Sequence, residues 1–439
     1  MIKNFEKESK IVEILKNVGY EVYIVGGFVR DSFIRGNIAK DMDIVTSANE
    51  DTIVSLLSKD FKVDVTGKTF KVIKVDGIDV ASFRKDIYSV KNTLYVKEAK
   101  TIEEDLSRRD FTINAVAISI DSGNYIDPHN GLNDLERKTV RFVGNGRKRI
   151  GEDPLRIVRA CRMLARIDGE FSIPTFYYLR KLSSLIAKLP SERIQIEIMK
   201  ALTYDTPSIF FRALYSINAL EYVIPSLLDL VDLDGGIHHA ENVFDHSMTC
   251  CNVISKRYPL LRLAALLHDV GKYGSSFESK GRDFIEHDKI GAEIAKYELE
   301  GLKFSKKEVD YVTKLVELHM YSLNTPKSIR KLKNKLGDID IKDFLRLKIA
   351  DRAANYKKPN FTIAEIRNFL NLIKGEEKTP SKEEHLAING NDIMRIAGIK
   401  EGRRVGEIKK CLLNIIFNDP NKNNPAFLEK AVLLITGKW

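Results

Sequence analysis

Two hydrophobic periods divide the chain. Within residues 1–150, short runs of β-type residues (EVYIVGG, DMDIVTS, FKVIKVDGIDVASF, NAVAISI, TVRFVG) read as strands, with helical stretches between them. After Gly151 the strand period disappears and helical spacing holds almost throughout, broken at Pro190, Pro207, Pro225, Pro259, Pro326 and Pro359. The pattern predicts an α+β head followed by an all-α remainder. Gly235-Gly236 is a natural seam, because a new helical block with clustered histidines follows. The Lys-rich block from Lys327 to Lys348 is interrupted by Asp338, Asp340 and Asp343, so it reads as a solvated helix face. The expected division is 1–150, 151–235, 236–358 and 359–439.

Composition changes this picture only a little. A chain of 439 residues has room for several cores, and 44% apolar with 30% charged residues is ordinary for a soluble protein. The segment MIKNFEKESKIVEILKN is a charged amphipathic helix, neither a signal peptide nor a span, and no later run reaches spanning length. A soluble, cytoplasmic protein with no membrane partner is expected. The net charge of +10 favours a polyanionic partner. Cys161, Cys250, Cys251 and Cys411 form no CxxC pair and sit in apolar helical stretches, as reduced thiols do.

Chemistry begins at YIVGGFVRDSFIRGNIAKDMDIV. Gly26-Gly27 lies between a strand and a helix that begins near Phe28, where a bare backbone and free N–H groups can approach a phosphate. Asp41 and Asp43 are i and i+2 on the next strand and project from one face. Paired carboxylates are costly unless a cation neutralises them. Two Mg²⁺ ions held this way can clamp an attacking 3′ hydroxyl and a leaving pyrophosphate. A bare Asp-x-Asp is usually a solvated strand end; Gly26-Gly27 and Arg30-Asp31 upstream favour the catalytic reading. Asp79, at the end of a following strand, is the candidate third carboxylate, with Asp110 as a rival.

Arg108-Arg109 alone reads as a surface basic pair. Glu152-Asp153-Pro154-Leu155-Arg156 reads as a helix opening in which Asp153 and Arg156, three apart, share a face and can form an intrahelical salt bridge. SERIQIEIMKAL starts with an imperfect capping-box arrangement at Ser191 and is assigned to structure.

Taken in order, GGFVRD, DMDIV, LSRRDFTINAVA, DPHNGLNDLERKTVRFVG and EDPLRIVRACRMLARI resemble the class II tRNA nucleotidyltransferases and bacterial poly(A) polymerases, of the DNA polymerase β superfamily. The resemblance implies a polymerase-β-type nucleotidyltransferase head, then an all-α neck that binds the nucleotide base and RNA. It implies nucleotide-binding roles for Gly26, Gly27, Arg30 and Arg109, base reading by Asp153 and Arg156, and contacts from Arg159 and Arg162 to the nucleotide or its phosphates. The chemistry suits that role: aspartate only accepts and arginine only donates, which matches the amine and ring acceptor of cytosine and adenine. Uracil and guanine present a carbonyl where the amine would be. CTP, ATP and tRNA are the implied partners, with full CCA addition, A-only addition and poly(A) synthesis sharing the head. The family's CC-adding members lack part of a flexible loop that this chain keeps between Arg84 and Asp110, which favours CCA or A addition.

The histidines carry a second constellation. ENVFDHSM, LLHDVGK, FIEHDKIGAE, ELHM and KIADRAAN supply His246, His268-Asp269 (at the end of an apolar helix closed by Gly271), His287, His319 and Asp351, an order that resembles the HD phosphohydrolase superfamily. His246, His268, Asp269 and Asp351 would hold one divalent metal, whether Mg, Mn, Ni or Fe. His287 and His319 would meet a second metal or a phosphate. The HD region is either an enzyme that activates water or an RNA-binding structure. The tail resembles that of HD-bearing tRNA nucleotidyltransferases, with Gly402, Arg403, Arg404, Lys409 and Lys410 facing tRNA phosphates or plain solvent. An HD phosphohydrolase with an RNA-holding head, and a non-catalytic RNA-binding factor, are the competing functions.

Overall fold

The strand-period runs of the head form one mixed sheet of seven strands in the order β3-β4-β5-β2-β1-β8-β9. They are β1 (Val22–Val25), β2 (Asp43–Thr46), β3 (Val63–Thr66), β4 (Val72–Val75), β5 (Ile78–Ser82), β8 (Ala117–Ser119) and β9 (Tyr125–Ile126). Alternation along the central strands sends side chains to two cores. Ile24, Ile44, Val80 and Ile118 meet helices α1 (Glu6–Asn17), α2 (Gly27–Arg35) and α3 (Glu50–Leu57). Val25, Val45 and Ala117 face the opposite core, with Phe83, Ile102 and Leu106. Both faces of the sheet are thus covered, as a mixed sheet requires.

The computed structural model describes residues 5–36, 42–66, 72–88, 94–236, 241–278, 284–376 and 385–438. Two compact units are present: residues 1–228 with 301–304, and residues 229–300 with 305–439.

The stretch expected as a loop from Arg84 to Asp110 is ordered differently. Strands β6 (Arg84–Tyr88) and β7 (Leu94–Glu98) pair antiparallel as a separate two-stranded sheet, with Arg84 opposite Glu98, and α4 (Ile102–Ser107) follows. Each arm carries two strand-favouring residues, Ile87 and Tyr88 in the first and Tyr95 and Val96 in the second, and their pairing across the ladder favours a hairpin over an open loop. The first unit continues through α5 (Gly131–Glu136), β10 (Thr139–Val140), α6 (Gly146–Glu152), α7 (Leu155–Ile167), β11 (Glu170–Phe171), α8 (Ile173–Lys181), α9 (Ser191–Ala201) and α10 (Ser208–Ser216). Helix α7 is buried along most of its length and packs on α9 and α10. Helix α9 begins after Pro190 without a side-chain cap, so the capping box anticipated at Ser191 does not form.

The second unit is helical: α11 (Val243–Val253), α12 (Pro259–Leu267), α13 (Gly271–Glu278), α14 (His287–Gly301), α15 (Lys306–Leu318), α16 (Pro326–Leu336) and α17 (Ile341–Ala354). Then come α18 (Ile363–Gly375), α19 (Gly390–Ala397), α20 (Arg403–Asn418) and α21 (Pro425–Thr436), the last three sharing a core of Ile393, Ile408, Leu412, Leu428 and Val432. Gly271 opens α13 rather than closing α12. A Cβ there would lie 2.1 Å from the carbonyl oxygen of His287, so glycine is required for α14 to come this close. No helix among the described residues is long and apolar enough to cross a membrane.

Candidate nucleotide cleft and histidine cluster

The end of β1 builds the first wall of a cleft. Gly26 has φ +67°, and a Cβ on it would lie 3.0 Å from Nη1 of Arg109 and 3.7 Å from Oδ2 of Asp43. Only glycine adopts this φ without strain, and a Cβ would also crowd the Arg109 guanidinium. One turn into α2, Arg30 donates from Nη1 to Asn114 Oδ1 at 2.6 Å and from Nε to Asp31 Oδ1 at 2.8 Å. Asp31 also accepts from Nε and Nη2 of Arg166 on α7, at 3.0 and 2.6 Å. Burial opposes its ionisation, but the bonds and charges of Arg166 and Arg30 hold Asp31 below the usual carboxylate range.

Asp43 starts β2 opposite Val25 and lies on the same face as Val45. Strand β5 runs parallel to β2 with Ile44 beside Val80, which sets Asp79 next to Asp43 on that face. Asp79 forms an exposed ion pair with Lys74 of β4 at 2.6 Å. The Lys74 pKa is raised by Asp79 first and by Asp43 as well, so the two carboxylates share one electrostatic neighbourhood. Asp41 lies outside the described residues. Asp110, the rival third carboxylate, lines the cleft, yet its oxygens are engaged by protein donors. Oδ1 accepts from Phe111 N and Asn114 Nδ2 at 2.9 Å, and Oδ2 accepts from Arg159 Nε at 2.8 Å.

The cleft encloses about 400 Å³ and brings together Gly26, Gly27, Arg30, Asp43, Arg109, Asp153, Arg156, Arg159 and Arg162, but not Asp79. Eight arginines against four aspartates line it, a balance suited to a polyanion such as a triphosphate. Several arginines are held in place by acids beneath them. Arg108 and Arg109 both bind the fully buried Asp105, at 2.7 and 3.0 Å. Arg162 pairs with Glu197 of α9 and donates to the Tyr204 hydroxyl at 2.5 Å.

Burial works against the Asp110 charge, but Arg159 and Asn114 hold its pKa far below normal. Asp110→Asn is expected to destabilise the fold by about 3 kcal/mol, because the Arg159 charge loses its near partner and keeps only Glu197 at 3.9 Å. Since the folded pKa is depressed, this contribution is present above the unfolded value of about 3.9 and is lost as pH falls toward the folded one. Urea unfolding at pH 7 and pH 3 checks both statements: the difference between variant and wild type shrinks at the lower pH.

Asp153 and Arg156 do not share a helix face. Asp153 is extended (φ −151°, ψ 103°) between α6 and α7, and Pro154 precedes the first turn of α7. A residue before proline is driven out of the α region, which is why the spacing of three misled. Nor do they pair with each other. Oδ1 of Asp153 accepts from Leu155 N at 3.1 Å and Arg193 Nη1 at 3.2 Å; Oδ2 accepts from Arg193 Nη2 at 2.8 Å. Arg156 spends Nη1 on Glu152 Oε2 at 2.5 Å and on the Arg149 carbonyl at 2.9 Å. Each carboxylate oxygen can accept about two bonds, so Oδ2 keeps one free position. Nε and Nη2 of Arg156 have no partner among the described residues. At Asp153 and Arg156 the cleft therefore offers one acceptor position and a set of donors held by a fixed frame. Glu152, Glu197 and Arg193, which supply that frame, were missed from the sequence.

In the second unit, His246 on α11, His268 and Asp269 after α12, His287 at the start of α14, His319 after α15 and Asp351 on α17 converge. Every imidazole is oriented through Nδ1: His246 to Glu241 Oε1 at 3.0 Å, His268 to the Ala265 carbonyl at 2.7 Å, His287 to the Phe284 carbonyl at 2.6 Å, and His319 to the Val316 carbonyl at 2.7 Å. A nitrogen facing a carbonyl carries the proton, so in the neutral ring Nε2 keeps its lone pair. The Nε2 atoms of His287 and His319 lie 3.1 Å apart, and that of His268 is buried without a hydrogen bond. Facing lone pairs need a proton or a cation between them. Asp269 lies among all four rings: Oδ2 is 3.3 Å from His268 Nε2 and 3.9 Å from His246, while Oδ1 is 3.5 Å from His287 and 3.6 Å from His319. His246 also lies 3.2 Å from Asp351. The donor atoms form two groups that could each hold a divalent metal, His246–His268–Asp351 and Asp269–His287–His319. Lys272 is buried against Asp269 at 2.6 Å, and Glu241 stands behind His246; sequence reading found neither. His238 and His239 lie outside the described residues. In the tail, Gly402, Arg403, Arg404 and Lys410 are exposed and Lys409 is partly so.

Comparison with known proteins identifies three segments of the chain. Residues 22–141 match the poly A polymerase head domain, 170–230 a probable RNA and SrmB-binding site of polymerase A, and 236–356 the HD domain. The chain is 30% identical over 337 residues to the A-adding tRNA nucleotidyltransferase of Deinococcus radiodurans, covering 72% of this chain and 76% of that one. It is 28% identical to the CCA-adding enzyme of Ligilactobacillus salivarius over 99% of its own length and 98% of the relative's. Its fold resembles that of the Bacillus stearothermophilus CCA-adding enzyme in complex with CTP, with a TM-score of 0.73 at 22% identity over 100% and 98% of the two chains.

Proposed function

This chain belongs to the tRNA nucleotidyltransferase and poly(A) polymerase family, in the form that carries an HD domain, and we propose that it adds C, C and A to the 3′ end of tRNA from CTP and ATP. The observation that carries the proposal is the single cleft in which Asp43, the arginines and the unfilled atoms of Asp153 and Arg156 come together. In this reading residues 1–150 are the catalytic head, 151–235 the neck, 236–358 the HD domain and 359–439 a tail that binds tRNA, and the enzyme works in the cytoplasm.

Asp41 and Asp43, with Asp79 beside Asp43, would hold Mg²⁺, which when bound lowers the pKa of the attacking hydroxyl and neutralises the leaving pyrophosphate. The chain's own residues do the rest. Gly26 and the start of α2 receive phosphate oxygens, and Arg30, Arg109, Arg159 and Arg162 neutralise them. Asp153 Oδ2 accepts the exocyclic amine of cytosine or adenine, while Arg156 donates to the adjacent ring acceptor. Uracil and guanine reverse that order, setting a carbonyl against Asp153 and an N–H against Arg156. The mismatch leaves both partners unsatisfied, at a cost of about 1–3 kcal/mol per group.

In the HD domain, His246, His268, Asp269 and Asp351 would hold one divalent metal. His287 and His319, with the other oxygen of Asp269, would hold a second or receive a phosphate. The bound metal would supply activated water for a phosphohydrolase reaction. An A-adding specificity is the alternative, favoured by the likeness to the Deinococcus protein.

The test uses the full chain, Mg²⁺ and tRNAs ending before the first C, after CC, and complete, with nucleotides given singly and together. Addition that stops after A on every incomplete acceptor is the expected result. Growth only from CC-ended tRNA means an A-adding enzyme, long A tails mean a poly(A) polymerase, and no incorporation leaves the HD phosphohydrolase reading.

A further inference from the structure

We infer that Arg193, on the helix that sequence alone assigns to structure, is a positioning residue for base choice. The inference rests on base reading by Asp153. Asp153 lies between two helices, so no helical backbone fixes its side chain. Its orientation comes from two donors, the Leu155 amide and the guanidinium of Arg193, which reaches it from forty residues away. The amide and Nη1 together fill Oδ1, and Nη2 takes one position on Oδ2. Arg193 thereby sets the plane of the carboxylate and decides which oxygen is left to read the base. It also lines the cleft itself.

The pair is no buried strut. The Arg193 side chain is 44% exposed and that of Asp153 is 26% exposed, so their ion pair adds little to fold stability. Its effect falls on geometry. Uracil and guanine each carry an N–H donor one ring position from the place where cytosine and adenine carry the amine. A carboxylate free to swing can follow that donor along the base edge, and discrimination then fails. A fork of two parallel bonds prevents the swing, and a lysine, with its single point charge, restrains it less.

The experiment compares kcat/KM for ATP and GTP on CC-ended tRNA, and for CTP and UTP on tRNA ending before the first C. The full-length chain is measured as wild type, Arg193→Met, Arg193→Lys and Asp153→Ala, each with its thermal midpoint. Arg193→Met is expected to keep its midpoint and to lose about tenfold in the ATP/GTP and CTP/UTP ratios, with Arg193→Lys between it and wild type. A uniform fall with all four nucleotides, ratios intact, would make Arg193 a structural or phosphate-holding residue and overturn the inference. If Asp153→Ala also keeps the wild-type ratios, the base-reading proposal itself has failed. If Asp153→Ala loses them while Arg193→Met keeps them, only the role of Arg193 has failed.

Discussion

Asp43→Ala is expected to lower nucleotide addition about a thousandfold or more while the HD domain keeps its metal. Asp43 starts the strand that pairs with β1 and lies within 4 Å of where a Cβ on Gly26 or Gly27 would sit. A carboxylate this close to a backbone suited to phosphate would, on the proposed function, meet the reacting end of the nucleotide rather than its base. On the proposed function, removing it takes away a metal ligand, and charge stabilisation worth several kcal/mol corresponds to roughly three powers of ten in rate. The hydrophobic neighbours Ile44 and Val45 are untouched, so the sheet is retained. The measurement is single-turnover extension of CC-ended tRNA with ATP, alongside metal content by mass spectrometry. Full extension by the variant would remove Asp43 from catalysis, and loss of metal from the HD domain would show that the substitution reaches beyond the head.

The second large effect is expected at Asp269. Its two oxygens face different pairs of histidines, so Asp269→Asn should weaken both metal groups at once, by at least about a hundredfold in affinity for Mn²⁺ or Ni²⁺. Loss of a mere outer partner already costs up to that much. The buried Lys272 ammonium, no longer balanced, adds repulsion toward an incoming cation. Burial opposes the charge of Asp269, but His268 and Lys272 hold its pKa well below the ordinary value, so it would enter metal binding already ionised. Calorimetric titration of metal-stripped wild type and variant decides the matter. Retention of wild-type affinity and stoichiometry would mean that the rings alone hold the metal. Nucleotide addition should not change.

Residues whose position follows from local spacing were legible in the sequence. Asp43 could be placed because strand alternation is a local rule, and Gly26 because a strand-to-helix turn beside phosphate chemistry requires it. The histidines were legible by order, although only packing brings His246 within 3.2 Å of Asp351. What escaped were partners whose meaning is non-local. Arg193, Glu197 and Glu241 look like ordinary helix or loop charges until the fold sets them against Asp153, Arg162 and His246. One error was avoidable: proline after Asp153 forbids the shared helix that the spacing suggested. The hairpin at β6 and β7 was hidden because that stretch was read for its length rather than its pattern.

Two acid–arginine clasps join the helix that bears Arg156 to elements beside the sheet that bears Asp43, namely α2 and the segment after α4. Asp31 takes Arg166 near one end of α7, and Asp110 takes Arg159 a little under two turns earlier. Fastened at both places, α7 cannot slide along the sheet without breaking a charged contact. On the proposed function, the span from Asp153 and Arg156 to Asp43 is thus a gauge of set length. A nucleotide analogue whose base is lengthened by an inserted ring should still be recognised at its edge, yet its reacting phosphorus would overshoot Asp43 by the width of the insertion. Such a compound would be held and not used, a calliper's way of telling a wrong size from a wrong shape.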